Sequence, residues 1–177
     1  ASQTGKVGFV GGMDISLIRK FACGYVGGVK SVNSSATVYQ NMTGTTPAAW
    51  NDPAKGAELT MSQIDRGADV IYQAAGGTGI GVIQAATDAG KLSIGVDSNQ
   101  NGIAPGSVLT SMLKRVDVAA YETFMDAKND TFSSGVLTLG VAEGGVDWAL
   151  DANNASLITA EMKAAVEQAR SDIISGK

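Results

Sequence analysis

The sequence has no histidine and a single cysteine among 177 residues. Without histidine, Ser-His-Asp and Cys-His catalysis and most zinc or haem ligation are excluded, and one cysteine forms no internal disulfide. Cys23 stands among Phe21, Ala22 and Tyr25 on an expected helix, a setting that predicts a buried structural thiol. Basic residues are few, 13 Lys and Arg against 17 Asp and Glu, so the net charge is −4 and no electrostatic footprint for nucleic acid or an anionic membrane is present. No apolar run reaches the roughly 18 residues of a membrane span. The first residues, Ala1 to Lys6, lack the charged and apolar regions of an uncleaved signal peptide. Neither catalysis, a metal nor a cofactor is expected, which leaves a small molecule as the partner.

The remaining pattern is built around Asp69 to Gly81, where a β-branched segment, Val70-Ile71-Tyr72, runs into Gly76-Gly77-Thr78-Gly79 and then an apolar helix. Glycines without Cβ atoms let a ligand approach backbone N–H groups, and Thr78 is placed to cap the helix. A further strand, Leu92 to Val96, stops at Asp97. A carboxylate therefore stands at the C-terminal end of the strand beside the glycine loop, where open α/β sheets bind ligands.

Taken in order, Lys6 to Val10 is a buried strand ending in Gly11-Gly12. Leu17, Ile18, Phe21, Tyr25, Val29 and Val32 then mark one apolar helix face. Asp14 precedes that helix, suited either to cap it or to meet a ligand. Thr37 to Gln40 is a second strand, and the polar loop after it carries Trp50, which either packs on its own domain or stacks on a planar ligand. Asp52-Pro53 opens a helix that stops at Gly67. Ser107 to Ser111 is a fifth strand, and Lys114 opens the next helix as a solvated residue or a donor to a polar ligand. Gly135 to Gly140 is a sixth strand candidate, Val146 to Leu150 a short edge segment, and a helix capped by Thr159 and ended by Gly176 closes the chain. With 44% hydrophobic residues, this βαβ alternation predicts one α/β unit with a parallel sheet and helices on both faces.

Strand, glycine loop, helix, strand and acidic residue also follow the order of a dinucleotide fold, and Asp97 is suitably spaced after Gly77. Yet position 82 is Val where that fingerprint has Gly, and no P-loop or Gly-x-Ser-x-Gly elbow occurs. A nucleotide-dependent oxidoreductase is therefore a weak reading beside the transport binding module, or the ligand-sensing effector domain on the same fold, that a family resemblance implies.

Read together, Val7 to Asp14, Trp50 to Gly56, Ala74 to Gly79, Gly95 to Gln100 and Leu109 to Arg115 resemble the basic membrane protein family. These are bacterial substrate-binding lipoproteins of ABC transporters that bind purine nucleosides. The resemblance implies a type I periplasmic-binding-protein lobe, an α-β-α sandwich, with the nucleoside held between two lobes of which this chain carries only the second. Residues 1–112 would form that lobe, residues 113–135 a return segment packing on the other lobe, and residues 136–177 the closing strands and helix. By motif, Trp50 would stack on the purine, while Gly76, Gly77 and Thr78 would surround it with backbone donors. Asp97 would accept from ribose hydroxyls, Lys114 would approach from the return segment, and Met13 and Asp14 would line the edge. The resemblance further implies an ABC permease as partner, an extracytoplasmic location with a lipid anchor on a preceding segment, and self-association of the lobe on its own.

Overall fold

A computed structural model describes residues 1–177, and in it the alternating pattern becomes a six-stranded sheet of order β2-β1-β3-β4-β5-β6. The strands are β1 (Lys6–Met13), β2 (Thr37–Gly44), β3 (Val70–Ala74), β4 (Leu92–Gly95), β5 (Val108–Lys114) and β6 (Val146–Trp148). The first five pair in parallel, and β6 runs antiparallel on β5 through Met112, Leu113 and Lys114. The helices are α1 (Ser16–Val32), α2 (Pro53–Asp65), α3 (Thr78–Asp88), α4 (Val116–Lys128) and α5 (Ala160–Ile174).

Side chains alternate across β1 and β3, and the two faces gather different helices. Phe9, Tyr72 and Ala74 pack with Ile18 and Ala22 of α1, while Val10 and Ile71 pack with Val82 of α3 and Leu59 and Ile64 of α2. Phe9, Val10, Ile71 and Val82 have no exposed surface, so each face contributes fully desolvated apolar area. This is the expected α-β-α arrangement.

Local signals fix several ends. The Asp52 carboxylate accepts from the Lys55 N–H at 2.9 Å with Pro53 in the first helical position, and Gly67 beyond α2 takes φ +99°. Thr159 accepts from the Met162 N–H at 3.2 Å, and Gly176 past α5 takes φ +75°. These follow the expected capping chemistry.

Other expectations are corrected. Asp14 does not cap α1, because its carboxylate is taken by a bidentate pair with Arg19 at 2.7 and 2.9 Å, and Ile15 stands at the cap position without a side-chain bond. Thr78 does not cap α3, since it is the first helical residue and its hydroxyl faces inward, as described below. Cys23 is exposed, one step of about 100° past the buried Ile18–Ala22 stripe. Lys114 ends β5 instead of opening a helix. Gly135 to Gly140 forms no strand: β6 is the segment that pairs with β5, and Val136 is 99% exposed.

Candidate functional site

At the C-terminal edge of the sheet, the first turns of α1, the Trp50 turn and the ends of β3, β4 and β5 surround a concavity of about 260 Å³. Leu17, Ile18, Phe21, Ala74 and Val96 form its apolar part; Trp50, Gly76, Asp97 and Lys114 complete it. The last four were all singled out by sequence. Leu17 and Phe21 were recognised only as members of the α1 stripe, since periodicity identifies an apolar face without saying that its first turn overhangs a site.

Trp50 closes a short 3₁₀ turn, Pro47–Trp50, and is half-buried. Its indole occupies the space that a side chain on Gly12 would need, where an added Cβ would lie closer than 3.0 Å to Cε3 and Cζ3, and it passes within 3.5 Å of where a Gly76 Cβ would be. The turn is fastened from below by Thr78. That fully buried hydroxyl donates to the Ala49 carbonyl at 2.8 Å and accepts from the Asp52 N–H at 2.7 Å, so Thr78 ties the Trp50 turn to α3 and does not reach the concavity.

Not every glycine of the loop opens onto the concavity. A Cβ on Gly79 would overlap the Gln73 amide and one on Gly81 would overlap the Pro53 carbonyl, so these glycines serve packing with β3 and α2. Gly76 (φ +59°) and Gly77 are the exposed members, and only Gly76 lines the concavity. Met13 and Asp14 are half-buried at the end of β1 and lie outside its lining. Arg19 holds the Asp14 carboxyl below its usual range, first through the side-chain hydrogen bonds.

Asp97 follows β4 and takes φ +65°, a left-handed conformation uncommon for residues other than glycine. The Ser98 N–H donates to the Val96 carbonyl at 2.8 Å, which makes Asp97 the centre of a γ-turn of the rarer, strained sign. Its carbonyl accepts from the Lys114 N–H at 2.8 Å, and its carboxylate meets Lys114 Nζ at 3.0 Å. Both side chains remain about half exposed, so the pair contributes little to stability and stays open to a ligand. Beneath it, burial pushes the Tyr72 phenol well above its ordinary pKa, with the Asp97 charge adding to the effect. The result is an acceptor and a donor side by side in a concavity that an indole and apolar side chains also line. No group of three His, Cys, Asp or Glu side chains gathers to hold a metal.

Comparison with known proteins agrees with this architecture. The protein from Lactococcus lactis called ABC transporter nucleoside-binding protein BmpA is 37% identical over all of this chain and 53% of its own length. Basic membrane protein D of Borreliella burgdorferi is 36% identical over 86% of the chain and 45% of its own length. The chain thus spans about half the length of the curated relatives it matches. An ABC transporter solute-binding protein from Aeropyrum pernix superposes with a TM-score of 0.82 at 28% identity, over 97% of this chain and 56% of that one. A transcriptional activator of the comK gene from Bacillus halodurans superposes with a TM-score of 0.86 at 24% identity, over 99% and 59%, a likeness of fold alone. The fold is that of a type I periplasmic-binding-protein lobe. With the family of ABC transporter substrate-binding proteins described as PnrA-like matching residues 1–176, this chain belongs to that family.

Proposed function

We propose that this chain forms one lobe of an ABC-importer receptor that captures a purine nucleoside between two lobes. The observation that carries the reading is that the Asp97–Lys114 pair and Trp50 line one concavity together with apolar side chains. A carboxylate has two oxygens able to accept from vicinal ribose hydroxyls, and Lys114 adds a donor beside them. An indole face holds a planar base without reading its edges, so the sugar is recognised more strictly than the base. The nucleoside-binding name of the Lactococcus lactis relative supports the ligand class.

The rest of the lobe fits a two-lobed receptor. Helix α4 has no buried residue, and Tyr121 and Phe124 are 62% and 76% exposed, a face suited to cover by the other lobe. Without that cover the isolated chain self-associates. Closure of two lobes around the ligand would present the loaded form to a permease. A relative from Pyrococcus horikoshii is called a lipoprotein, which supports a lipid anchor and an extracytoplasmic location.

Binding of guanosine, adenosine and free ribose to the two-lobed protein, by calorimetry, tests the reading. Asp97→Ala should weaken nucleoside binding by about 1.5–3 kcal/mol, the range of a lost hydrogen bond to a charged group. Unchanged affinity would sink the assignment.

A further inference from the structure

Gln100 lies three positions beyond Asp97 in the polar loop, half-buried, and its side chain does not touch the concavity. Its Oε1 accepts two hydrogen bonds, from Gln73 Nε2 at 2.7 Å and from the Val96 N–H at 2.9 Å. Gln73 is fully buried on β3, and its own Oε1 accepts from the Ala75 N–H at 3.1 Å, immediately before Gly76. One amide pair therefore joins the glycine loop to the residue preceding Asp97. From its backbone N–H, Gln100 donates to Ser111 Oγ at 3.0 Å on β5, and Ser111 Oγ donates to Asn101 Oδ1 at 2.8 Å. Room for this bridge depends on glycine, because a Cβ on Gly95 would lie 2.9 Å from Gln100 Cβ and Oε1.

A turn with φ +65° at Asp97 persists only if its surroundings hold it there. The Lys114 N–H holds its downstream side through the Asp97 carbonyl, and the Gln100 oxygen holds its upstream side through the Val96 N–H. We propose that Gln100 is a positioning residue for ligand capture. Bridging Gln73 and Val96, it keeps the glycine loop and the strained Asp97 turn at the spacing in which the Asp97 carboxylate is presented beside Lys114. The role rests on the reading of Asp97 as the ligand's carboxylate.

Both bonds end on the oxygen of Gln100, so Gln100→Glu keeps them, whereas Gln100→Met fills similar volume with no acceptor. In the free chain, amide hydrogen exchange at Val96 and Ser98 should quicken about tenfold or more in Gln100→Met and stay near the parent rate in Gln100→Glu, as for loss and retention of a buried acceptor. Guanosine affinity, measured on the same variants, should fall about tenfold in Gln100→Met and recover in Gln100→Glu. In an Asp97→Asn background Gln100→Met should add almost nothing, because the two act through one group. Parent-like exchange in Gln100→Met, or Gln100→Glu behaving as Gln100→Met does, overturns the proposal. If the parent chain binds no guanosine in either its one-lobe or two-lobe form but the exchange pattern appears, the nucleoside reading fails while the pinning of the Asp97 turn stands.

Discussion

Replacing Gly12 with alanine tests how Trp50 is held. A Cβ at position 12 would lie closer than 3.0 Å to Trp50 Cε3 and Cζ3 and 3.2 Å from Cδ2. Carbon atoms pack at about 3.5–4.0 Å, so the ring must retreat by roughly 1 Å. Gly12 is buried in β1, whose backbone is paired with β2 on one side and β3 on the other, so the half-buried indole has more freedom to yield than the strand. Overpacking of this kind costs about 1–3 kcal/mol, and a yielding partner places Gly12→Ala near the lower end. A displaced ring also loses its aligned contact with a stacked base, about 0.5–1.5 kcal/mol, or roughly twofold to twelvefold in affinity. Urea unfolding gives the first quantity and calorimetric titration with guanosine the second. Trp50 emission, isolated by Trp148→Phe, reports whether the ring has moved. If emission shifts while affinity stays unchanged, the ring does not stack on the ligand. If neither emission nor stability changes, the close approach of Gly12 to Trp50 is wrong.

Helix α1 carries Gly24, Gly27 and Gly28, where an added Cβ meets nothing within 4 Å. Converting all three to alanine should stabilise the chain by about 1.5–3 kcal/mol through reduced backbone entropy of the unfolded state. A fall in Tm instead would mean that another surface covers this face. At the other end of the sheet, burial alone would raise the Asp69 carboxyl, but hydrogen bonds from Ser2, Thr4 and Gln3 outweigh it and hold its pKa below the ordinary 3.8. A lowered folded-state pKa stabilises the protein above the unfolded value, and that contribution is lost as pH falls through the folded one. Asp69→Asn should therefore be less stable than the parent at neutral pH and converge with it in acid; a stability difference independent of pH would refute the linkage. Sedimentation velocity should show concentration-dependent association that Tyr121→Glu with Phe124→Glu abolishes, and a strictly monomeric parent would argue that α4 is not an adhesive face.

Those parts of the fold whose cause lies within a few residues were legible. Asp52-Pro53 and Thr159 announced α2 and α5 because capping needs only a side chain and the next turn's N–H groups, and Gly67 and Gly176 marked their ends by positive φ. Strands β1 and β3 were legible because both of their faces are covered, so apolar and glycine residues dominate them with few polar breaks such as Gln73, and β4 read likewise as a short apolar segment broken by Ser93. Expectations failed where a distant partner decided. Arg19 captured Asp14 and removed it from the cap, a competition that helix-start rules do not weigh. Gly135 to Gly140 has strand-like composition, yet a strand exists only beside an edge that accepts it.

The site divides in the same way. Asp97 and Lys114 were found because strand-end position is a property of chain order, and Trp50 because a large indole in a polar loop demands contact. What chain order could not reveal is which glycines open onto the concavity, since Gly76 is exposed with a positive φ whereas Gly81 is buried in α3 under the Pro53 carbonyl. The Gln100 bridge was equally hidden. It requires Gly95 to stand against Ser111, and that pairing follows a register shift between Ser93 and Ile94. Register decides which side chains meet across two strands, and a local shift leaves no mark on hydrophobic periodicity. The residues that carry charge into the site are therefore readable from the sequence, whereas those that hold the charge in place become visible only once the strands are paired.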